Sequence, residues 1–106
     1  MNENLAKGEI PVKFDYFMYK GKPHRLTGPA VIVYDAGEVY SETYYMDGAI
    51  HRDDAPAVIF YANGGVFSES YYVNGDIHRS EGPAYIRYAD GKVYYKEYWI
   101  SGDKIS

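Results

Sequence analysis

Three His-Arg pairs, His24-Arg25, His51-Arg52 and His78-Arg79, recur every 27 residues. These residue types can hold a metal, move protons or bind an anion. A shared metal fails on geometry. With two strands per unit spaced about 4.8 Å, equivalent histidines stand about 10 Å apart. Ligands of one zinc each lie about 2.1 Å from it, so no two can be that distant. Catalysis fails on uniqueness, because every histidine fills a repeated position while an active site needs one asymmetric constellation. The chain also lacks a nucleophile elbow, a phosphate loop and His-Glu-x-x-His. Cys is 0, which removes thiolate ligands, disulfides and a cysteine nucleophile. The expectation is a non-enzyme with no catalytic residue, metal or cofactor. A ladder of Arg25, Arg52 and Arg79 gripping a polyanion is disfavoured by the net charge of −4, and nucleic acid with it. The His-Arg pairs are expected to tie the turn before each Gly/Ala-Pro.

The elements that place these pairs follow from the same period. Val12, Val39, Val66 and Val93 keep the register, as do Gly21, Gly48, Gly75 and Gly102, and Ile32, Ile59 and Ile86. Residues 12–106 form one repeat domain with units 12–38, 39–65, 66–92 and 93–106, after an N-terminal segment 1–11. Each unit reads as two strands and two turns. Ala57–Tyr61 is a short strand and Val66–Val73 a longer one, with Asn-Gly and Asp-Gly turns supplying positive φ. No long stretch has the 3.6 period of a helix. The fold class is all-β: an antiparallel meander of about seven strands, twisted or partly closed. An open sheet leaves two edges, which segments 1–11 and 101–106 must protect. Segment 1–11 shows neither a signal peptide nor a membrane span, so a cytoplasmic location without membrane contact is expected.

Repetition separates two jobs: residues kept in every unit serve the fold, and residues that change are free for recognition. Ala57, Ile59 and Tyr61 share the constant face, expected to be core, while Val58 and Phe60 drift to Tyr85 and Arg87. Nine residues before each histidine stands an acid, Asp15, Glu42 or Glu69, expected to pair with the Arg or His that follows. Two partner surfaces are expected. One is the acidic second unit, with Asp47, Asp53 and Asp54. The other is the face of the long strands carrying Ser41, Thr43, Tyr45, Ser68, Ser70 and Tyr72, extended by Trp99. Tyrosine and serine together give amphipathic area and adaptable hydrogen bonding. With aromatics at 18%, the array carries more ring surface than its core can hide, so a protein partner or a second copy is expected to cover some of it.

The unit His-Arg-x-x-Gly-Pro-Ala, followed by a strand, a turn glycine, an aromatic strand and a second x-Gly turn, resembles the MORN-variant repeats of bacterial, phage and giant-virus proteins. The match is specific over His24–Ala30 and His78–Ala84, and looser over His51–Ala57, where Ala55 replaces glycine. The resemblance implies a β-hairpin array used for macromolecular contact, and for a short acidic example a phage product that blocks a host defence protein in the host cytoplasm. The leading expectation is therefore a protein-binding module that occludes a larger protein. Two alternatives stand beside it: a small-ligand or nucleotide sponge using aromatic rings and Arg25, Arg52 or Arg79, and a structural subunit that self-associates through its edges.

Overall fold

The computed structural model describes residues 12–106; segment 1–11, with the expectations placed on it, lies outside the described residues. In chain order the strands are β1 (Val12–Tyr16), β2 (Met18–Tyr19), β3 (Lys22–Pro23), β4 (Val31–Asp35), β5 (Glu38–Thr43), β6 (Tyr45–Met46), β7 (Ala49–Ile50) and β8 (Val58–Ala62). They continue with β9 (Gly65–Ser70), β10 (Tyr72–Val73), β11 (Asp76–Ile77), β12 (Tyr85–Ala89), β13 (Lys92–Glu97), β14 (Trp99–Ile100) and β15 (Asp103–Lys104). Seven of them form an antiparallel sheet in the order β1-β4-β5-β8-β9-β12-β13. Neighbours in sequence are neighbours in space, so the sheet is the expected meander, and it is open rather than closed into a barrel.

The long strand of each unit departs from the expected single run. It breaks at Tyr44 and Tyr71, and its last residues form a separate small hairpin, β6-β7 or β10-β11. The backbone explains the break. Tyr44 N–H donates to Ala57 O at 2.8 Å and its carbonyl accepts from His51 N–H at 3.0 Å, so the residue serves two directions at once. The turns use the left-handed region, with Asp47 at φ 50° and Gly48 at φ 86°, as a two-residue hairpin demands. The small hairpins stack on one another in turn: Gly48 N–H donates to Pro23 O at 3.0 Å and Gly75 N–H to Ile50 O at 2.8 Å. Residues 101–106 complete the last small hairpin and do not pair with the outer edge of β13.

Strand alternation sorts side chains onto two unlike faces. Across one face the register runs Asp15, Ile32, Glu42, Ile59, Glu69, Ile86, Lys96. Its apolar members are the core: Ala30, Ala57 and Ala84 are fully buried, with Ile59 and Ile86 nearly so. The constant face of the repeat is thus the covered one. The opposite face carries two rows, Phe14-Val33-Ser41-Phe60-Ser68-Arg87-Tyr95 and Tyr16-Val31-Thr43-Val58-Ser70-Tyr85-Glu97. No second layer lies on it among the described residues.

Candidate functional site

The His-Arg loops are built as fixtures. Each histidine Nδ1 accepts a backbone N–H from the turn one unit ahead: Asp47 to His24 at 3.0 Å, Asn74 to His51 at 3.0 Å, Ser101 to His78 at 2.8 Å. An accepting Nδ1 fixes the proton on Nε2, which His51 donates to the Asp53 carboxylate at 3.0 Å and His78 to Ser80 Oγ at 3.2 Å. Each arginine sits over an aromatic ring. The guanidinium carbons of Arg25, Arg52 and Arg79 sit 3.7, 3.9 and 4.0 Å from the ring centres of Phe17, Tyr44 and Tyr71. One Nη of each donates to the proline carbonyl four residues on, at 3.1–3.2 Å. A Cβ on Gly28 or Gly82 would stand 3.3 or 3.0 Å from the guanidinium, so the loop closes over it. A guanidinium stacked, bonded and capped in this way is spent on the fold, which removes the main support for the arginine ladder.

The acids do not pair with these arginines, contrary to expectation. Asp15, Glu42 and Glu69 instead accept the hydroxyl protons of Tyr34, Tyr61 and Tyr88 at 2.9, 2.5 and 2.6 Å. The register gives the reason. Glu42 stands opposite Ile59, and Tyr61 is the next residue on that face, a diagonal neighbour within reach of a long side chain. The arginine, by contrast, is held by its own loop. Tyr61 is pushed up to about 12, chiefly by burial and then by the bond to Glu42. Tyr88 is also pushed up to about 12, with the bond to Glu69 the larger cause.

The expected partner residues fall into separate places. Asp47, Asp53 and Asp54 are exposed, and they belong to the small hairpins and the His-Arg loops rather than to the open face. Asp53 is held by His51 and lines a groove of about 500 Å³ with Arg25, Tyr44 and Met46. Asp54 has φ 57° and lines the equivalent groove of about 480 Å³ one unit on. Tyr45 and Tyr72 are half-buried, as is Thr43. The Trp99 indole N–H donates to Glu97 at 2.9 Å. Glu97 also accepts from Tyr95 at 2.5 Å and pairs with Lys104 at 3.3 Å, and the tyrosine and indole bonds together hold its carboxyl below the ordinary glutamate value.

Ser41, Ser68 and Ser70 offer little surface to a partner. They lie on the open face but are only 6, 4 and 9% exposed, because each small side chain sits in a row between larger ones such as Val33, Phe60 and Arg87. The exposed surface is aromatic and comes from positions that strict alternation misses. A bulge interrupts every large hairpin: Val33 pairs with Ser41 but Tyr34 pairs with Val39, leaving Tyr40 as the extra residue. Phe67 and Tyr94 are left over in the same way. Bulges re-aim side chains, and these three turn onto the open face. Tyr40 meets Phe60 edge-on at 5.6 Å, and Arg87 lies 4.9 Å from the Phe67 ring and 5.4 Å from that of Tyr94. Tyr40, Phe60, Phe67 and Tyr85 surround a shallow cleft of about 400 Å³. The signal that could have found them is an aromatic side chain recurring at 40, 67 and 94 beside a position that drifts from Val33 to Phe60 to Arg87. No known protein family, curated protein or solved structure matches the chain, so its own geometry carries the functional reading.

Proposed function

We propose that this chain is a non-enzymatic protein-binding module that docks through its open sheet face. The carrying observation is the aromatic stripe with no covering layer. Phe14, Tyr40, Phe67, Tyr94 and Tyr95 are each 39–63% exposed on one side of a seven-stranded sheet. A sheet face of this kind is normally buried against another layer, and large exposed apolar patches mark interaction sites. Seven strands at about 4.8 Å and five or six residues at about 3.3 Å give a face of roughly 30 by 18 Å, about two-thirds of the ~800 Å² each partner contributes to a standard interface. Burying that face would shield whatever it covers. The reading therefore includes inhibition by occlusion, and blockade of a host defence protein is the specific form that the repeat resemblance suggests. The expected ligand site at the arginines has less support, since those guanidinium groups are already occupied.

The test is affinity capture followed by reconstitution with the purified partner. Tyr40→Glu with Phe67→Glu introduces charge at exposed positions, and Asp53→Lys with Asp54→Lys reverses the acidic loop. A partner that binds wild type and the loop variant but loses the open-face variant supports the reading. A partner lost only by the loop variant moves the site to Asp53 and Asp54. Equal binding by all three refutes both surfaces.

A further inference from the structure

We infer that the occupant of the open face is a protein surface presenting a carboxylate among apolar side chains, and that Arg87 receives it. This rests on the docking reading above. Arg87 occupies the row position filled by Val33 and Phe60 in the other units, in the line Val33-Ser41-Phe60-Ser68-Arg87-Tyr95. It is a cation placed where the repeat otherwise puts an apolar side chain. Phe67 and Tyr94 flank it, the two rings lying 4.9 and 5.4 Å from its guanidinium carbon.

Its hydrogen bonds set it apart from the repeat arginines. Arg25, Arg52 and Arg79 each reach a proline carbonyl. Arg87 Nε is buried with no acceptor, and no acid among the described residues forms an ion pair with Arg87. A buried donor without an acceptor is destabilising and rare in folded chains, so it calls for a cause. A guanidinium held between two rings, half-buried and unpaired, is prepared for a planar anion. Nε itself is covered, so a carboxylate takes its parallel N–H bonds from the two Nη groups at the outer edge while apolar neighbours cover the rings.

The same face excludes two other occupants. A polyanion meets a single arginine on this face and a net charge of −4 overall. A second copy docked face to face presents no free acid, because Glu97 is the one carboxylate in the two open-face rows and it is held by Tyr95, Trp99 and Lys104. The chemistry that fits is an Asp or Glu side chain flanked by apolar residues on the partner.

The probes are two blocked pentapeptides, acetyl-Phe-Ser-Glu-Ser-Phe-amide and the same sequence with glutamine at its centre. Alternation in an extended strand puts both phenylalanines and the central residue on one side. Binding to the full chain is followed by NMR, on the Arg87 Nε–H signal and the ring signals of Tyr40, Phe67 and Tyr94. The glutamate peptide is expected to bind about tenfold more tightly, in line with one charge-assisted pair on a partly solvated surface. Arg87→Met should equalise the two peptides, and Arg87→Lys should restore part of the difference. Folding of each variant is checked by its melting temperature. Equal binding of both peptides to wild type, or a preference that survives Arg87→Met, overturns the Arg87 assignment while ring shifts keep the docking reading. Absence of ring shifts with either peptide overturns both.

Discussion

Arg52→Met tests whether the repeat arginines are internal fixtures. Methionine keeps an unbranched apolar stem against Tyr44 and deletes the cation with its donors. The variant loses the bond to Pro56 O at 3.1 Å and the ring contact at 3.9 Å. A charge-assisted bond in a partly shielded loop contributes about 1.5 kcal/mol, at the low end of its range. The cation–ring contact adds about 1 kcal/mol. Together these give about 2.5 kcal/mol, or a melting temperature lowered by about 10 °C for a domain of this size. Arg87→Met is the matched control, since its guanidinium has no acceptor to lose at Nε. It gives up the longer contacts to Phe67 and Tyr94 but also a buried donor without an acceptor, so its net effect should be smaller, about 1 kcal/mol or less. Thermal unfolding by circular dichroism, backed by urea titration, measures both. Equal shifts for the two variants, or an unchanged melting temperature for Arg52→Met, would refute the fixture reading and reopen the anion ladder.

Three further predictions use the same unit geometry. Tyr61 and Tyr88 hold their protons more tightly in the folded chain, so this contribution is complete below pH 10 and is lost as pH climbs to about 12; tyrosinate absorbance should show a late phase that Tyr61→Phe with Tyr88→Phe diminishes, the remainder coming from Tyr34 and Tyr95, which are also raised. His78→Ala deletes the acceptor of the Ser101 N–H, and amide exchange at Ser101 should speed up while Asp47 and Asn74 keep their protection. Gly82→Ala meets Arg79 at 3.0 Å with φ at +123° and should destabilise by about 1–3 kcal/mol in urea unfolding. Gly28→Ala should cost less, because its backbone is unstrained and the second unit already carries Ala55 at that place.

How much of this was legible in the chain depends on the range of the interaction. The 27-residue period, the turn glycines and the alternation of Ala57, Ile59 and Tyr61 are local, and they gave the meander and its covered face. Three features depend on contacts between strands and were misread or missed. The break at Tyr44 needs the carbonyl of Ala57, which stands on the next strand. The bulge at Tyr40 is a mismatch between two strands, marked in the chain only by the aromatic that recurs at 40, 67 and 94. Glu42 has Arg52 ten residues away and Tyr61 nineteen away, and only the register shows that the farther residue is the nearer side chain. Serine burial followed the same rule. Ser41 and Ser68 read as contact residues by type, yet their cross-strand neighbours are large enough to cover them.

The joints between units carry one more consequence. Ala57 N–H meets Ser70 O, Gly75 N–H meets Ile50 O and Asn74 N–H meets His51 Nδ1. One unit back, Ala30 meets Thr43, Gly48 meets Pro23 and Asp47 meets His24 in the same way. Most of these partners are backbone groups, and the histidine is present on both sides, so a gene that drops or duplicates one 27-residue stretch rebuilds the same joint. Each such step changes the breadth of the sheet by about 10 Å, two strand spacings, without creating a new kind of contact. The chain is in this sense a ruler with interchangeable divisions. Excising residues 39–65 would shorten it by one division and delete the acidic turn, while Arg87 would keep its own flanking strands and rings.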